Sequence, residues 1–382
     1  MTKKVLIVGM LDSIHLARWL AQFRNSNIEF LVFPSKTFRA IHPKLIQLVD
    51  EHSNFKLIYQ PFPRILSGYI DFALFGISKN FFRFNLRRRF LEKVLRKFKP
   101  QFLHALEIQG GGYLCNELIL PQSKTYKLIT TNWGSDIFYF RHIPEDLVRI
   151  KSVLSKSDYY SAECQRDYLL AKSLGFKGVQ LPCIPNAGGF TDLELAKVKT
   201  LSSKRTNIVV KAYGGSFGRG GLAIDALQCI LTEFPDITTF LYSVTDDLMT
   251  SVSELSKAHP GRVSFSTQRR PMSYDELKSI FLRSRVYVGC SISDGISTSF
   301  LESLITGAYP IQTNTSCAGE WLKKGAIGTL IPLEEKALAH ALREALTNDR
   351  LVDEAQKSNL EVSMEHLSYE KISTIAITFY AL

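Results

Sequence analysis

Short apolar runs recur along the chain, and each is followed by a longer stretch with helical periodicity. KVLIVGM (4–10) is too short and too β-branched for a buried helix, and it reads as a strand covered on both faces. Behind it, Leu16, Leu20 and Phe23 mark one face of a helix beginning near Ser13. IEFLVFP (28–34), FKLIYQ (55–60), FLHALE (102–107), YKLITT (126–131) and YYSAEC (159–164) continue the alternation. The pattern restarts after residue 200. NIVVKAY (207–213) leads into a glycine-rich turn and a helix from about Leu222. ITTFLY (237–242), VSFST (263–267), RVYVGC (285–290) and YPIQTN (309–314) follow. The alternation predicts an α/β protein, and the restart predicts two doubly wound parallel sheets rather than one. The expected division is a first domain over 1–200 and a second over 201–365, with polar LSSKRT (201–206) as the linker. The helical tail 366–382 is expected to cross back to the first domain. Two such sheets facing each other would enclose a cleft. Ligands of open parallel sheets bind outside the carboxyl ends of the strands, so chemistry is expected in the strand-to-helix turns.

Charge refines this picture. The 382 residues carry a net +11, but residues 1–100 hold 18 of the 47 Lys and Arg and only 6 of the 36 Asp and Glu. A basic excess confined to one region predicts an anionic partner there. Within it, FFRFNLRRRFLEKVLRKFKP (81–100) sets Phe84, Phe90, Leu91, Val94, Leu95 and Phe98 at roughly helical spacing among cations. Two readings stay open: a helix packed on the sheet with a solvated basic face, or a surface for anionic lipid headgroups. No nucleic-acid motif is present, so nucleic acid is not an expected partner.

Lys3 and Lys4 precede an apolar run that Asp12 and His15 interrupt too early for a signal sequence. No stretch reaches the roughly 18–20 apolar residues of a membrane-spanning helix. A cytoplasmic enzyme is expected, with the inner face of the membrane as its candidate peripheral site. Cys115, Cys164, Cys183, Cys229, Cys290 and Cys317 form no CxxC pair, which predicts reduced thiols and no zinc site.

The segment CSISDGISTSFLESLITGAYPIQTN (290–314) concentrates the candidate chemistry. A strand feeds a loop with Asp294 and Gly295, and a helix begins near Ser299 and ends at Gly307. Backbone N–H groups around Ser297, Thr298 and Ser299 at such a helix start can hold a diphosphate. Glu302, one turn into the helix, can accept hydrogen bonds from ribose hydroxyls. Asp294, on the preceding loop, would then stand near a sugar. A structural reading competes: Ser299-x-x-Glu302 fits a capping box, and Asp294-Gly295 a turn.

This stretch resembles the signature of the retaining GT-B glycosyltransferases, the family-four-like enzymes of bacterial surface polysaccharides. That signature reads Glu, seven residues, Glu, then a small residue, Gly and a Pro-Val-Ile strand. Here Asp294, seven residues, Glu302 and Thr306-Gly307-Ala308-Tyr309-Pro310-Ile311 stand in those places. The resemblance implies that Asp294 lies beside the donor sugar and Glu302 binds the nucleotide ribose, with Asp departing from the family's first Glu. KAYGGSFGRGGLAIDAL (211–227) resembles the family's donor-phosphate loop. Arg219-Gly220 stands at its Lys-Gly, whereas its preceding Arg has no counterpart in Tyr213-Gly214-Gly215. TTNWGSD (130–136) resembles a His-Gly-x-Asp loop, with Trp133 for the His and Asp136 retained. Asp136 is implied to contact a donor sugar hydroxyl or to orient the acceptor, and an Asx turn or helix cap is its structural alternative. Gly9, Ser13, His15, His104 and Trp133 are the acceptor-side candidates, and IPNAGG (184–189) resembles a segment closing the first domain.

The resemblance implies a hexosyltransferase that takes its sugar from a nucleotide diphosphate, most simply UDP. The acceptor would be a glycan or lipid-linked glycan in surface-polysaccharide or lipopolysaccharide synthesis. Neither cofactor nor metal is expected. No DxD motif suits a metal at the diphosphate, and Asp246-Asp247 reads as a helix start. The rival readings are a nucleotide-sugar epimerase of the same two-domain fold and a non-catalytic nucleotide-sugar-binding protein.

Overall fold

The computed structural model describes residues 2–58, 64–71, 73, 86–118, 125–186, 188–191 and 198–381. Residues 59–60 of FKLIYQ, 81–85 of the basic segment (Phe84 included) and Ala187 lie outside the described residues. Two units emerge: Met1–Gly189 with Tyr369–Leu382, and Phe190–Ser368.

The first unit holds strands β1 (Lys3–Gly9), β2 (Ile28–Pro34), β3 (Phe55–Leu57), β4 (Phe102–Leu106), β5 (Lys127–Thr131), β6 (Tyr159–Ser161) and β7 (Val179–Gln180). They form one parallel sheet in the order β3-β2-β1-β4-β5-β6-β7. The order reverses between β1 and β4. Val5, Leu6, Ile7 and Val8 are wholly buried, as expected of a central strand with helices on both faces. Ser13 caps the helix Ile14–Ala21 by accepting from the His15 N–H at 3.1 Å.

The helix Leu86–Phe98 buries Leu91, Val94 and Leu95 against the sheet. Arg87, the first of the three consecutive arginines, is buried too. It forms a fork on Asp71 at 3.0 and 2.8 Å and also donates to the Pro34 carbonyl. The solvated basic face is therefore Arg89, Lys93, Arg96 and Lys97. The helix Tyr369–Thr378 closes the first unit. Ile372, Ala376, Phe379 and Tyr380 join the core beside Trp19, Phe23, Phe30 and Phe102.

The second unit holds β8 (Asn207–Lys211), β9 (Thr238–Val244), β10 (Val263–Thr267), β11 (Ser284–Gly289), β12 (Tyr309–Thr313) and β13 (Thr329–Ile331), parallel in the order β10-β9-β8-β11-β12-β13. Its order reverses between β8 and β11. Residues 201–206 are not a free connector. Ser202 N–H bonds Gln356 at 2.7 Å, Ser203 bonds Asp353 twice, and the Arg205 guanidinium takes the carbonyls of Thr200, Ser284 and Thr306. Ser202, Ser203 and Arg205 thus serve polar groups of the fold, while Lys204 and Thr206 are exposed. No described helix is long and apolar enough to cross a membrane.

Candidate functional site

In the second unit, two helices begin at the point where strand order reverses. Gly220–Glu233 follows β8, and Thr298–Thr306 follows β11. Their N-cap residues, Arg219 and Ser297, cap neither helix with a side chain. Gly220 and Leu222 N–H are taken by the Tyr213 and Arg219 carbonyls, which leaves the anion-facing N–H groups to Gly221 and to the start of Thr298–Thr306. Gly220 lets its helix approach β8: a Cβ there would lie 2.8 Å from the Ala212 carbonyl carbon and 2.9 Å from a Leu248 methyl. The two loops are sewn together. Gly218 bridges Ser291, Arg219 N–H donates to Cys290 O at 3.0 Å, and Ile292 N–H donates to Phe217 O at 2.9 Å. Arg219, from one turn, and Asp294, from the other, both act on the Tyr213 phenol.

The capping box does not form. The helix starts at Thr298, which places Ser299 inside the first turn, where its hydroxyl meets Tyr242 at 2.6 Å. Glu302 therefore falls in the second turn of the helix rather than at its N3 position. It is buried within electrostatic reach of Tyr242, whose phenol is pushed up chiefly by burial. Ser297 hydrogen-bonds Tyr287, another buried phenol that feels Asp294. Tyr213, Tyr242 and Tyr287 thus line the underside of the loop–helix segment 294–302. The sequence reading missed them, although a hydroxyl-bearing aromatic inside an apolar strand is the available signal. Gly307 ends the helix at φ +72°, a left-handed value suited to glycine. Arg219 donates from Nη1 to the Gly218 carbonyl at 2.5 Å. Asp294 is half-buried.

In the first unit, the turns after β1, β4 and β5 meet where strand order reverses. The His15 and Trp133 rings contact edge-on with centroids 5.5 Å apart. Gly9 ends β1, and its carbonyl accepts from Ser35 N–H. Asp136 is buried and ties two turns together: one carboxylate oxygen accepts from Ile108 N–H at 2.7 Å and Trp133 N–H at 2.9 Å. Burial, then the charge of Glu107, holds its pKa well above the usual carboxylate range. Glu107 accepts from Gly110 and Gly111 N–H at 2.6 and 2.7 Å, and its backbone is strained at φ +79°. An acid ahead of a glycine run was its signal in the sequence. Glu163 accepts from Asn186 N–H at 2.9 Å, anchoring the 184–189 segment. The Trp133 indole N–H and the Asn132 side-chain oxygen are buried with no hydrogen-bond partner among the described residues.

His104 does not join this edge. It is wholly buried mid-strand, with Nδ1 2.6 Å from Tyr380 Oη and Nε2 2.6 Å from Thr131 Oγ1. Its polar valence is consumed by the core, so the acceptor-side expectation for it is corrected.

Two reversing parallel sheets, one carrying paired helix N-termini with an arginine and an acid pair, define a Rossmann-like two-domain enzyme. Sequence-family profiles sharpen this. Residues 261–361 match the profile described as Glycosyl transferases group 1, and residues 70–164 match Glycosyl transferase 4-like. A search of curated protein sequences gives no match. Similar solved structures include HepE from Anabaena in complex with UDP and glucose, at 14% identity and TM-score 0.68, covering 100% of each chain. Sucrose-phosphate synthase from Thermosynechococcus elongatus aligns at 14% identity and TM-score 0.70, over 99% of this chain and 98% of that one. A TarM mutant from S. aureus, in complex with Fondaparinux, alpha-GlcNAc-glycerol and UDP, aligns at 11% identity and TM-score 0.72, covering 100% of each. The chain belongs to the GT-B glycosyltransferases.

Proposed function

We propose that the chain transfers a hexose, with retention of configuration, from a UDP-sugar to a glycan or lipid-linked glycan of a surface polysaccharide. The observation that carries this is the pair of uncapped helix N-termini flanking Arg219 and Glu302 at the reversal point of the second sheet. The helix starts and the Arg219 guanidinium stabilise the negative charge that develops on the departing diphosphate. Glu302 accepts hydrogen bonds from the ribose, and Asp294 stands beside the sugar. With Arg219 and two helix termini supplying positive potential, the reading assigns no step to a metal. HepE and TarM of the same fold, each solved with UDP, support the choice of nucleotide.

On the first unit, His15 and Trp133 form the acceptor edge. Asp136 positions the turn that carries Trp133, since one of its carboxylate oxygens holds two backbone N–H groups. The face of Arg89, Lys93, Arg96 and Lys97 is the surface for an anionic inner membrane. Vesicle flotation checks it: recovery is expected to rise with anionic lipid, and equal recovery on neutral vesicles would remove the membrane role.

Thermal unfolding with UDP, GDP, ADP and CMP, with and without EDTA, tests the donor site. At 100 times its dissociation constant, UDP stabilises by about 2.7 kcal/mol, a rise of several degrees. The rise is expected to survive EDTA and to vanish in Glu302→Ala. No shift with any nucleotide in folded protein would sink the transferase reading. The anomeric configuration of the product, read by NMR, decides retention.

A further inference from the structure

The pattern Ser-x-x-Glu stands at two helix starts of the second unit and folds differently at each. At Ser273-Tyr274-Asp275-Glu276 the capping box closes. Ser273 N–H donates to the Glu276 carboxylate at 2.8 Å, and Glu276 N–H donates to the Ser273 hydroxyl at 3.3 Å. At Ser299-Phe300-Leu301-Glu302 the helix begins at Thr298, ahead of the serine, and Leu301 N–H donates to Ser297 O at 3.1 Å.

The difference lies in what meets the serine. Ser273 is exposed. Ser299 is buried, and Tyr242 O–H donates to its Oγ at 2.6 Å. Tyr242 reaches it from β9, where its buried ring packs edge-on against Phe281 with centroids 6.0 Å apart. Burial pushes the phenol up, so it keeps its proton and stays a donor. Ser303 and Thr306, further along the same helix, donate instead to the carbonyls of Phe300 and Glu302. A hydroxyl pinned to the sheet is not free to serve as an N-cap.

Two helix starts therefore compete. In the alternative start Ser299 is the N-cap, its hydroxyl takes Glu302 N–H, and the Glu302 carboxylate takes Ser299 N–H. The chain's own groups would then fill an N–H at the diphosphate position, and the carboxylate meant for the ribose would be spent.

We propose that Tyr242 is a positioning residue of the donor site: by holding Ser299 inside the first turn, it blocks the Ser299–Glu302 capping box and keeps the helix start and Glu302 turned to a nucleotide diphosphate. The inference rests on the donor reading for its ligand, not for the choice between two helix starts.

Tyr242→Phe removes one hydroxyl and keeps the ring. Its UDP affinity, by calorimetry on the intact chain, is expected to fall about fivefold, the scale of one buried hydrogen bond. Adding Ser299→Ala deletes the competing cap and keeps the backbone N–H, so affinity is expected to return to within about twofold of wild type. Loss of packing alone would not be rescued by a second deletion. Tyr309→Phe is the comparison: it loses a bond to Thr329 of 2.8 Å in the same sheet and should leave UDP affinity unchanged. Amide exchange at Leu301 reads the helix start without ligand. It is expected to quicken in Tyr242→Phe and to slow again in the double variant. Wild-type affinity in Tyr242→Phe, or a double variant that binds no better than the single, overturns the inference. A wild type that binds no UDP strikes the donor reading instead, and Leu301 exchange then decides: acceleration in Tyr242→Phe supports the choice of helix start by Tyr242, and unchanged exchange removes it.

Discussion

At the scale of single residues, proton positions in the first core follow from valence. The indole of Trp19 can only donate, and it reaches Tyr380 Oη at 3.3 Å. That hydroxyl therefore gives its own proton to Nδ1 of His104, and Nε2–H of His104 donates to Thr131. Burial lowers the His104 pKa to about 3, against 6.5 in the unfolded chain. Its contribution to stability is full above pH 6.5 and is lost as pH falls toward 3. Asp136 runs the other way. Its pKa is raised in the folded state, so its contribution is greatest below the ordinary 3.8 and is lost as pH rises. In melting curves between pH 4 and 7, His104→Asn should reduce the loss of stability on acidification. Asp136→Asn should reduce the loss on alkalinisation while keeping an oxygen for both N–H donors. Slopes unchanged from wild type in both variants would remove these two groups from the pH response. None of this was legible in the sequence, because the partners of His104 lie 27 and 276 residues away.

At the scale of elements, legibility followed burial. The long strands β1, β2, β4, β8, β11 and β12 are covered on both faces and read directly as apolar runs. The edge strands β7, of two residues, and β13, of three, are too short to establish a period. YYSAEC extended too far because its last three residues already turn toward the helix at Gln165. The donor-side turns were legible because glycine and hydroxyl residues serve there for backbone reasons. The tyrosines beneath them were harder to read: Tyr242 and Tyr287 sit inside apolar strands as aromatics, and only their hydroxyls hint at a polar role. The helix Gly220–Glu233 makes a sharp prediction. Gly220→Ala puts a methyl against Ala212 and Leu248 and should cost about 1–3 kcal/mol. It should also weaken UDP binding, since the helix start must retreat. Calorimetry reads both, and a variant that melts and binds like wild type would dissociate this close approach from the site.

At the scale of the whole molecule, the second unit is one unbroken stretch, Phe190–Ser368, whereas the first needs both ends of the chain. Residues 190–368 expressed alone should therefore unfold cooperatively and bind UDP. Residues 1–189 alone should bind the dye ANS, because Trp19, Phe23, Phe30 and Phe102 lose Phe379 and Tyr380 from their core. Adding a 369–382 peptide should suppress the dye signal. Native-like protection of 1–189 without that peptide would show that the terminal helix is dispensable.

The same discontinuity sets an order of assembly in the living cell. A ribosome finishes the first sheet well before it reaches Tyr369. At about 5–20 residues per second the interval is roughly 10–40 s. Throughout it the nascent chain presents an open aromatic seam, a site for a holding chaperone. The domain begun first at the ribosome is completed last.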